Sequence, residues 1–500
     1  MNNFITKIIN NDIKKGLSIK KLKFRFAPEP NGYLHIGHIK AIYINFKLSK
    51  MYNTKIILRF DDTNPNKENY KYVKKIKEDI KWLGFKYTKI SFTSDYFFIL
   101  YKWAKKLIKK KKAYIQIIKN KNILNIKNIK ENLFFFKNMK KGKYKENECI
   151  LRAKINNKSP NYHLRDPIMY RIIKKKHFKT KNKWNIYPTY DWAHGQSDYI
   201  EKITHSLCSI EFQNHKPLYN WFLKNIYNKK FNKIKPKQIE FSRLNFLDTI
   251  TSKRKLILIK KKKIIKNFND PRLSTISSFK EKGYNSKFII NFIKKLGYTK
   301  RVNNNNYIKN LELEIKKKKI KKIKKIMVII NPIKITILNF KKKKKKIKIK
   351  NRIIPFTKHI YINKKDFKYK KNKNFYRLAK NNYVRLKYSY IIKLYKIVKK
   401  NKKIKNIYCK IYKEKKINKK EIKSTIQWVS TNYFVKINIL LYKYIFFKKK
   451  KIINKNSIKI IKGYGEIFIK KLKLKKIYQF IRYGFFFKKK KKFFNKILIF

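Results

Sequence analysis

At 500 residues and 61.3 kDa the chain has room for about three domains of roughly 150 residues each, and its 43% hydrophobic residues exclude wholesale disorder. Its 137 Lys and Arg against 26 Asp and Glu leave a net charge of +111, which makes nucleic acid the first partner to consider. Lys, Asn, Ile, Tyr and Phe dominate while Gly and Pro number 11 each, the composition that a strongly A+T-rich coding sequence yields at permissive positions, so lysine runs by themselves say little about function.

Cys149, Cys208 and Cys409 are odd in number and far apart, which excludes a C-x-x-C zinc pair or a disulfide framework and fits a reducing compartment. The stretch from Met1 to Lys23 has no apolar core followed by a small-residue cleavage site. The most apolar run, Ile326 to Phe340, is interrupted by Pro332 and Lys334 and falls short of the ~18 residues a membrane span needs. A soluble, cytoplasmic protein with no membrane partner is expected.

In chain order, Leu22 to Phe26 reads as a short buried strand, Pro28 to Gly32 as a breaker and His38 to Lys50 as a helix. Lys55 to Phe60 is a second strand ending on Asp61 and Asp62. Val73, Ile76, Ile80 and Leu83 then recur at helical steps until Gly84. Leu107 to Lys183 departs from this α/β rhythm and reads as an insertion, after which Ile186 to Tyr190 is strand-like and Pro217 to Ile226 helical. Asp270 to Gly297 is helical, with a lysine-rich link at Lys316 to Lys325. Beyond it, Ile333 to Leu338, Tyr383 to Ile392, Ile407 to Tyr412 and Val435 to Leu441 alternate over strand lengths, which indicates an all-β C-terminal half. No repeat of fixed period is present.

The loop Pro28-Glu29-Pro30-Asn31-Gly32-Tyr33-Leu34-His35-Ile36-Gly37-His38 joins a strand to a helix, so backbone N–H groups and the positive helix end converge where a triphosphate can lie. His35 and His38, three apart, reach one face, and both can donate hydrogen bonds to charge developing on phosphate, while Gly37 allows a flat base near the backbone. A bare H-x-x-H would more often be a metal pair or two surface histidines. Here the surrounding residues decide, because the loop resembles the HIGH motif of class I aminoacyl-tRNA synthetases in the form typical of the glutaminyl-tRNA synthetases. The likeness continues through Arg59-Phe60-Asp61-Asp62-Thr63-Asn64-Pro65, Tyr187-Pro188-Thr189-Tyr190-Asp191, Glu240-Phe241-Ser242-Arg243-Leu244-Asn245, Ser252-Lys253-Arg254-Lys255 and Asp270-Pro271-Arg272, and more weakly to Gln427-Trp428-Val429-Ser430.

The resemblance implies a Rossmann-like class I synthetase catalytic domain with an acceptor-binding insertion, a helical connector and two C-terminal antiparallel β-barrels. The boundaries expected are 1–106 and 186–258 for the catalytic halves, 107–185 for the insertion and 259–330 for the connector. The proximal barrel is expected at 331–385 with 455–500, and the distal, anticodon-binding barrel at 386–454. The implied reaction uses ATP with Mg²⁺ to activate L-glutamine as its adenylate and transfers it to tRNA(Gln), in a protein expected to be a monomer.

By residue, the family pattern assigns catalysis to His35, His38 and Lys253. ATP binding falls to Glu29, Pro30, Asn31, His35, Ile36, Gly37, His38, Ser209, Arg243, Leu244, Thr251, Ser252 and Lys253, and Thr251 stands where methionine is usual. Asp61 matches the carboxylate that holds the α-ammonium of glutamine and Tyr190 the hydroxyl that reads its amide, with Cys208 and Gln238 lining the amide pocket. Asp62 alone is expected to cap the helix over Lys67 to Gly84. No metal ligand set is assigned. A pocket without arginine favours glutamine over glutamate, whose unpaired carboxylate would cost several kcal/mol. The alternatives are a glutamyl-tRNA synthetase of the archaeal and eukaryotic type and a catalytically inactive basic RNA-binding relative, against which the intact His35, His38 and Lys253 count.

For tRNA, Arg352, Arg377, Arg385 and Lys387 sit near the family's RNA-contacting positions. Asn214 replaces the aspartate of the family's E-F-Q-D-N, and the insertion after Tyr114 is too short for the hairpin that helps open the first acceptor pair. If cognate contacts act beyond bulk charge, replacing Lys341 to Lys346 with Ser and Gln flattens the salt dependence of tRNA affinity, by roughly 0.7 to 0.9 in logarithmic slope per lost phosphate contact, without erasing the preference for cognate tRNA. Dissociation constants for cognate and non-cognate tRNA across a salt series measure this.

Overall fold

The computed structural model describes residues 3–119, 122–244, 246, 250, 252–300, 308–318, 323–349, 352–369, 374–400, 403–414, 417–418, 421–446 and 452–497. The chain divides into two compact units, one of Met1–Asn269, Ser274–Ser277 and Ser286–Tyr307, the other of Asp270–Leu273, Ser278–Asn285 and Ile308–Phe500.

The first unit begins with helix α1 (Phe4–Lys14) and strand β1 (Lys23–Phe26). Helix α2 (Ile36–Met51), strand β2 (Lys55–Phe60), helix α3 (Tyr70–Leu83) and strand β3 (Lys89–Phe92) follow. All three strands run parallel, with Lys23 opposite Lys55 and Ile57 opposite Lys89. Parallel strands are covered on both faces, so β2 carries the unbroken apolar run Ile56-Ile57-Leu58, while β1 alternates in sequence yet buries Arg25 along with Phe24 and Phe26. Helix α2 buries residues all round its axis, as a helix inside an α/β layer must, whereas α3 buries one stripe, Val73, Ile76, Ile80 and Leu83 with Asp79. Gly84 ends α3 in the left-handed region at φ 88°, where a side chain would be strained.

The insertion carries α4 (Phe97–Lys109), β4 (Ala113–Lys119), β5 (Asn122–Asn125), α5 (Ile129–Lys141), β6 (Cys149–Ala153), β7 (Ile168–Ile172) and β8 (Ile186–Pro188). The strands form an antiparallel sheet in the order β5-β4-β6-β7-β8. A short β4–β5 hairpin with exposed Ile123 and Leu124 is therefore present after Tyr114, where none was expected. Strand β8 belongs to this sheet although it follows the expected boundary at 185. The core is continuous across that boundary: Phe97, Tyr101, Phe136 and Trp184 pack in one cluster with Trp192 and Phe222.

Returning to the parallel layer, helix α6 (Tyr190–Ile200), strand β9 (His205–Ser209), helix α7 (Lys216–Ile226), strand β10 (Lys237–Phe241) and helix α8 (Lys253–Lys261) complete the site-forming elements. Strands β9 and β10 pair in parallel, and reciprocal hydrogen bonds between Lys23 and Thr204 join them to β1 (Thr204 N–H to Lys23 O, 3.1 Å; Lys23 N–H to Thr204 Oγ1, 3.1 Å). The strand expected through Tyr190 stops at Pro188, because the Thr189 hydroxyl caps α6 and makes Tyr190 its first residue. The helical run expected over Asp270 to Gly297 is two helices, Ile276–Lys282 and Ser286–Leu296, separated at Gly283 with φ 97°.

The second unit contains two seven-stranded sheets. One comprises Lys325–Ile326, Ile477–Phe480, Gly484–Lys490, Phe493–Lys496, Phe434–Tyr442, Ile458–Glu466 and Val328–Ile330. The other comprises Ile422–Ile426, Tyr383–Leu386, Ile391–Lys400, Lys403–Tyr412, Pro332–Ile337, His359–Asn363 and Val429–Ser430. Strand pairing thus groups 332–430 together and 325–330 with 434–496, not 331–385 with 455–500. The deciding contacts are long-range, Thr336 opposite Tyr408 and Val328 opposite Gly465, and each sheet has its own core, around Trp428 and Phe356 in one and Phe480 and Phe494 in the other. Tyr383 to Ile392, expected as one strand, contains a hairpin turn between Leu386 and Ile391.

Candidate active site

The loop after β1 brings His35 to the N-cap of α2, where serine, threonine or aspartate would be usual. Its Nδ1 accepts the Gly37 N–H at 3.1 Å, and Nδ1 of His38 accepts the His35 N–H at 3.1 Å, so the two imidazoles form a reciprocal capping box with ring centroids 4.0 Å apart. An accepting Nδ1 leaves the ring proton on Nε2. Two N–H donors therefore stand at the positive end of a helix, an arrangement suited to an anion. Ile36 anchors this end: fully buried, it donates its N–H to Ser274 O at 3.0 Å. A Cβ on Gly37 would lie 2.9 Å from His35 Cε1 and 3.3 Å from Leu244 O, so a side chain there would displace the ring or the following strand's end.

These groups face a cavity of about 330 Å³. Of the residues assigned to ATP, Glu29, His35, Gly37, His38, Ser209, Arg243 and Leu244 line it. Pro30 and Asn31 support the loop from outside the lining: Pro30 O accepts the Asn69 N–H at 3.0 Å and the Asn31 amide donates to the Glu29 carboxylate. Ser252 is the N-cap of α8 and Lys253 its first residue. Thr251 lies outside the described residues.

Tyr190 and Cys208 line the opposite part of the cavity, and Tyr190 stacks on His194 with ring centroids 4.7 Å apart. Gln238 borders a small side cavity beneath the same two residues, its amide donating to Phe212 O at 3.0 Å and to Glu240 at 3.1 Å. Burial, with the negative charge of Asp61 next, pushes the Tyr190 phenol well above its ordinary value, and burial pushes the Cys208 thiol up to about 12. This end of the cavity is accordingly lined by neutral dipoles.

Asp61 is fully buried, and neither of its carboxylate oxygens has a hydrogen-bond partner among the described residues. Its backbone N–H is fixed to Pro28 O at 3.1 Å, and His194 Nδ1 stands 3.8 Å from Oδ2. Asp62 does not cap α3, whose N-cap is Asn69. It accepts the Ser94 N–H at 2.8 Å and the Ser94 hydroxyl at 2.7 Å, so it caps the turn that leads into α4. Burial pushes Asp62 up to about 8 and Glu68 up to about 9, the latter helped by the neighbouring Asp62 charge.

Behind these residues lies an ionic network with no local sequence signal. Arg25 of β1 and Arg59 of β2 both bond Asp198 of α6, at 3.1 and 2.8 Å, and Arg59 also holds Glu201 at 2.8 Å. Ser206 and Tyr219 donate to Asp198 Oδ2 at 2.7 and 3.0 Å. Burial alone would raise Asp198, but the two guanidiniums override it and hold the carboxyl well below the usual range. Arg25 also donates to His194 Nε2 at 2.8 Å, which places the imidazole proton on Nδ1, toward Asp61. Arg25 lines the cavity, so the expectation of a pocket without arginine is corrected. Its charge is matched by Asp198, and its remaining nitrogens are bonded to Leu207 O and Ser206. A lone arginine in a strand of a chain with 137 cations gives the sequence reader nothing to find.

Residues 21–322 match a model of the catalytic domain of class I tRNA synthetases (E and Q), and 324–412 and 425–489 match two models of the anticodon-binding domain of the same enzymes. The chain belongs to this family. It is 42% identical to a glutamine–tRNA ligase of Buchnera aphidicola subsp. Schizaphis graminum, over 97% of this chain and 93% of that one. Glutamine–tRNA ligases of Clostridium kluyveri and Haemophilus influenzae are 36% and 38% identical, each over 97% of this chain and 93% of the relative. Among solved structures, a glutamate–tRNA synthetase of Elizabethkingia anophelis aligns over 56% of this chain and 62% of that one, at 19% identity and a TM-score of 0.38. No described helix is long and apolar enough to cross a membrane.

Each residue assigned to tRNA has local partners of its own. Asn214 is exposed, its carbonyl accepting the Asn161 amide at 2.8 Å. Arg352 is held by buried Glu466 at 2.6 Å. Arg377 donates to Lys365 O at 3.1 Å and reaches Asp366, which Arg482 grips with two bonds of 2.8 Å. Arg385 pairs with exposed Glu414, and Lys387 stands 5.0 Å over the Tyr388 ring. Arg352 and Arg377 thus have structural partners, whereas the Arg385 pair is a surface bridge of little energetic weight.

The raised carboxyls near Asp61 set a pH dependence. Their ordinary values are about 4, so folding favours their protonated forms. That stabilisation is complete below about pH 4 and is lost as pH rises through about 8 for Asp62 and 9 for Glu68. Glu68→Gln, which fixes the neutral form, is expected to lose less stability between pH 5 and 9 than the wild type, by up to ~1.4 kcal/mol per pH unit. Urea unfolding at several pH values measures it, and equal slopes in both proteins would show Glu68 ionised in the fold.

Proposed function

We propose that the chain ligates L-glutamine to tRNA(Gln) at the expense of ATP, through a glutaminyl adenylate. The observation that carries this reading is the Asp61 carboxylate, buried with no hydrogen-bond partner among the described residues, together with a helix end armed with two imidazole N–H donors. A buried carboxylate costs several kcal/mol unless a cation answers it, and the α-ammonium of an amino acid, with three donors, matches its two oxygens. Asp61 does not line the cavity itself but lies behind His194, which does, and gives that wall a negative pole opposite the positive end of α2. An amino acid oriented by them directs its carboxylate toward the triphosphate. The carboxylate oxygen attacks the α-phosphorus, and the bond to the β-phosphate oxygen breaks, releasing pyrophosphate. A ribose hydroxyl of the tRNA terminus then attacks the acyl carbon and AMP leaves.

The His35 and His38 donors would meet the negative charge that grows during the first step, and Lys253, the first residue of α8, matches the lysine of the family's second motif. Ser209, Arg243 and Leu244 line the nucleotide side. Mg²⁺ would come bound to ATP and would help neutralise the triphosphate, with Glu29 and Glu211 as the described carboxylates lining the cavity that could face it. The two C-terminal sheets are assigned to the anticodon barrels, and the chain to a cytoplasmic monomer.

Glutamine is preferred to glutamate on electrostatic grounds. Tyr190 and Cys208 are neutral dipoles, and the two arginines lining the cavity, Arg25 and Arg243, already face Asp198 and Glu211. A side-chain carboxylate would enter without a counter-ion. Glutamine should therefore exceed glutamate in kcat/KM by more than ~100 on the same tRNA, and near-equal values would point to a non-discriminating glutamyl enzyme.

His38→Ala and Lys253→Ala should each lower kcat by ~10² or more with a smaller change in KM, because their contacts strengthen in the transition state. Pyrophosphate exchange isolates this step. Wild-type rates in Lys253→Ala would remove that residue from the chemistry.

A further inference from the structure

His163, Asp191 and His215 come from three separate elements: the 3-10 turn Tyr162–Leu164 of the insertion, the first turn of α6, and the end of the 3-10 helix Ile210–His215. One ligand atom from each lies within 4.8 Å of the others, and all three residues are half-buried. His215 Nδ1 is 2.7 Å from Asp191 Oδ1, and the rings of His163 and His215 are 3.6 Å apart. We propose that these three side chains bind one divalent ion of the borderline transition-metal class, for which Zn²⁺ is the best match.

Two imidazoles and one carboxylate form a donor set that zinc takes readily and that magnesium and calcium, which prefer oxygen, do not. Donors at 2.0–2.1 Å from a tetrahedral ion stand about 3.3 Å apart, so the widest present gap closes with a side-chain movement of about 1.5 Å. The backbone beneath is already tied together. Asn161 accepts the His163 N–H at 3.1 Å through its side-chain oxygen and donates through its amide to Asn214 O at 2.8 Å, which holds the two 3-10 segments in register. Asp191 is held by the Thr189-capped start of α6.

The chain's charge of +111 opposes any cation at long range, but that field is screened beyond about 8–10 Å, and within that distance the carboxylate and the ring nitrogens decide. The family pattern E-F-Q-D-N has asparagine where this chain has His215, so the third ligand is a feature of this sequence. Asp191 and His215 also border the small cavity shared with Tyr190, Cys208 and Gln238. An ion here clasps the insertion to the wall of the amide pocket, with its fourth position open to water.

The test uses the full chain, stripped with a chelator and desalted. Co²⁺ is titrated while its visible ligand-field absorption is followed, and Zn²⁺ affinity is read by competition with a chromophoric chelator. One ion per chain is expected, with at least tenfold weaker binding in both His163→Gln and His215→Asn. Zn²⁺ should raise the melting temperature of the wild type and not of the variants. Metal-free melting of His215→Asn, whose amide can keep a hydrogen bond to Asp191, establishes that the variant is folded. Absence of binding below 100 µM, or a wild-type affinity in either variant, would overturn the three-ligand site.

Discussion

Asp198 is the residue on which the catalytic half depends. It is fully buried and receives Arg25 from β1, Arg59 from β2, Ser206 from β9 and Tyr219 from α7, so one carboxylate fixes two parallel strands, a third strand and two helices against one another. Buried ion pairs of this kind are seldom a net source of stability, since apolar groups of the same shape do as well. Their value is geometric: each donor has one direction, and slipping any element by one residue would leave a buried charge unpaired. Arg59 precedes Asp61 by two residues on the same strand end, and His194 is one helical turn before Asp198, so the network sets the two groups nearest the proposed ammonium site.

The same cavity shows how a strongly cationic chain makes a negative pole. Asp62 and Glu68 are pushed toward their neutral forms by burial, and Asp198 and Glu201 are matched by guanidiniums. Asp61 remains as a buried carboxylate with no hydrogen-bond partner among the described residues. At the other end, the histidine capping box adds two oriented N–H donors to a helix dipole without adding a full charge. In the proposed reading, fixed dipoles and one buried carboxylate would orient a zwitterion without the reorganisation that a set of flexible side chains would require.

What the sequence could disclose follows from range. The PNGYLHIGH segment is local, and its strand, loop and helix were legible because their signals fall within a few residues, although the helix was expected from His38 and begins at Ile36 behind the His35 cap. Tyr190 was legible through its motif but was expected in a strand, since the Thr189 cap that starts α6 is a single hydroxyl bond. Arg25, His194 and Asp198 were not found, because Arg25 and Asp198 meet across 173 residues and none has a distinctive neighbour. In the C-terminal half, alternation located some strands, such as Pro332–Ile337 and Phe434–Tyr442, but not their partners: Lys and Ile recur in many of them, and pairings such as Thr336 with Tyr408 had no signature.

Arginine and the acids carry the information that lysine has lost. Where coding bias favours lysine at every tolerant position, an arginine persists at sites where an ammonium cannot replace a planar fork with several donors. The structure places Arg25 and Arg59 on Asp198, Arg272 on Asp270, Arg352 on Glu466 and Arg482 on Asp366. Asp366 and Glu466 are fully buried, so these pairs join distant strands of the second unit as Asp198 joins those of the first. An arginine in this chain is therefore first a partner for a buried carboxylate, and only one whose carboxylate is itself exposed, as Glu414 is beside Arg385, retains a guanidinium that an RNA phosphate or base can take over at small energetic cost.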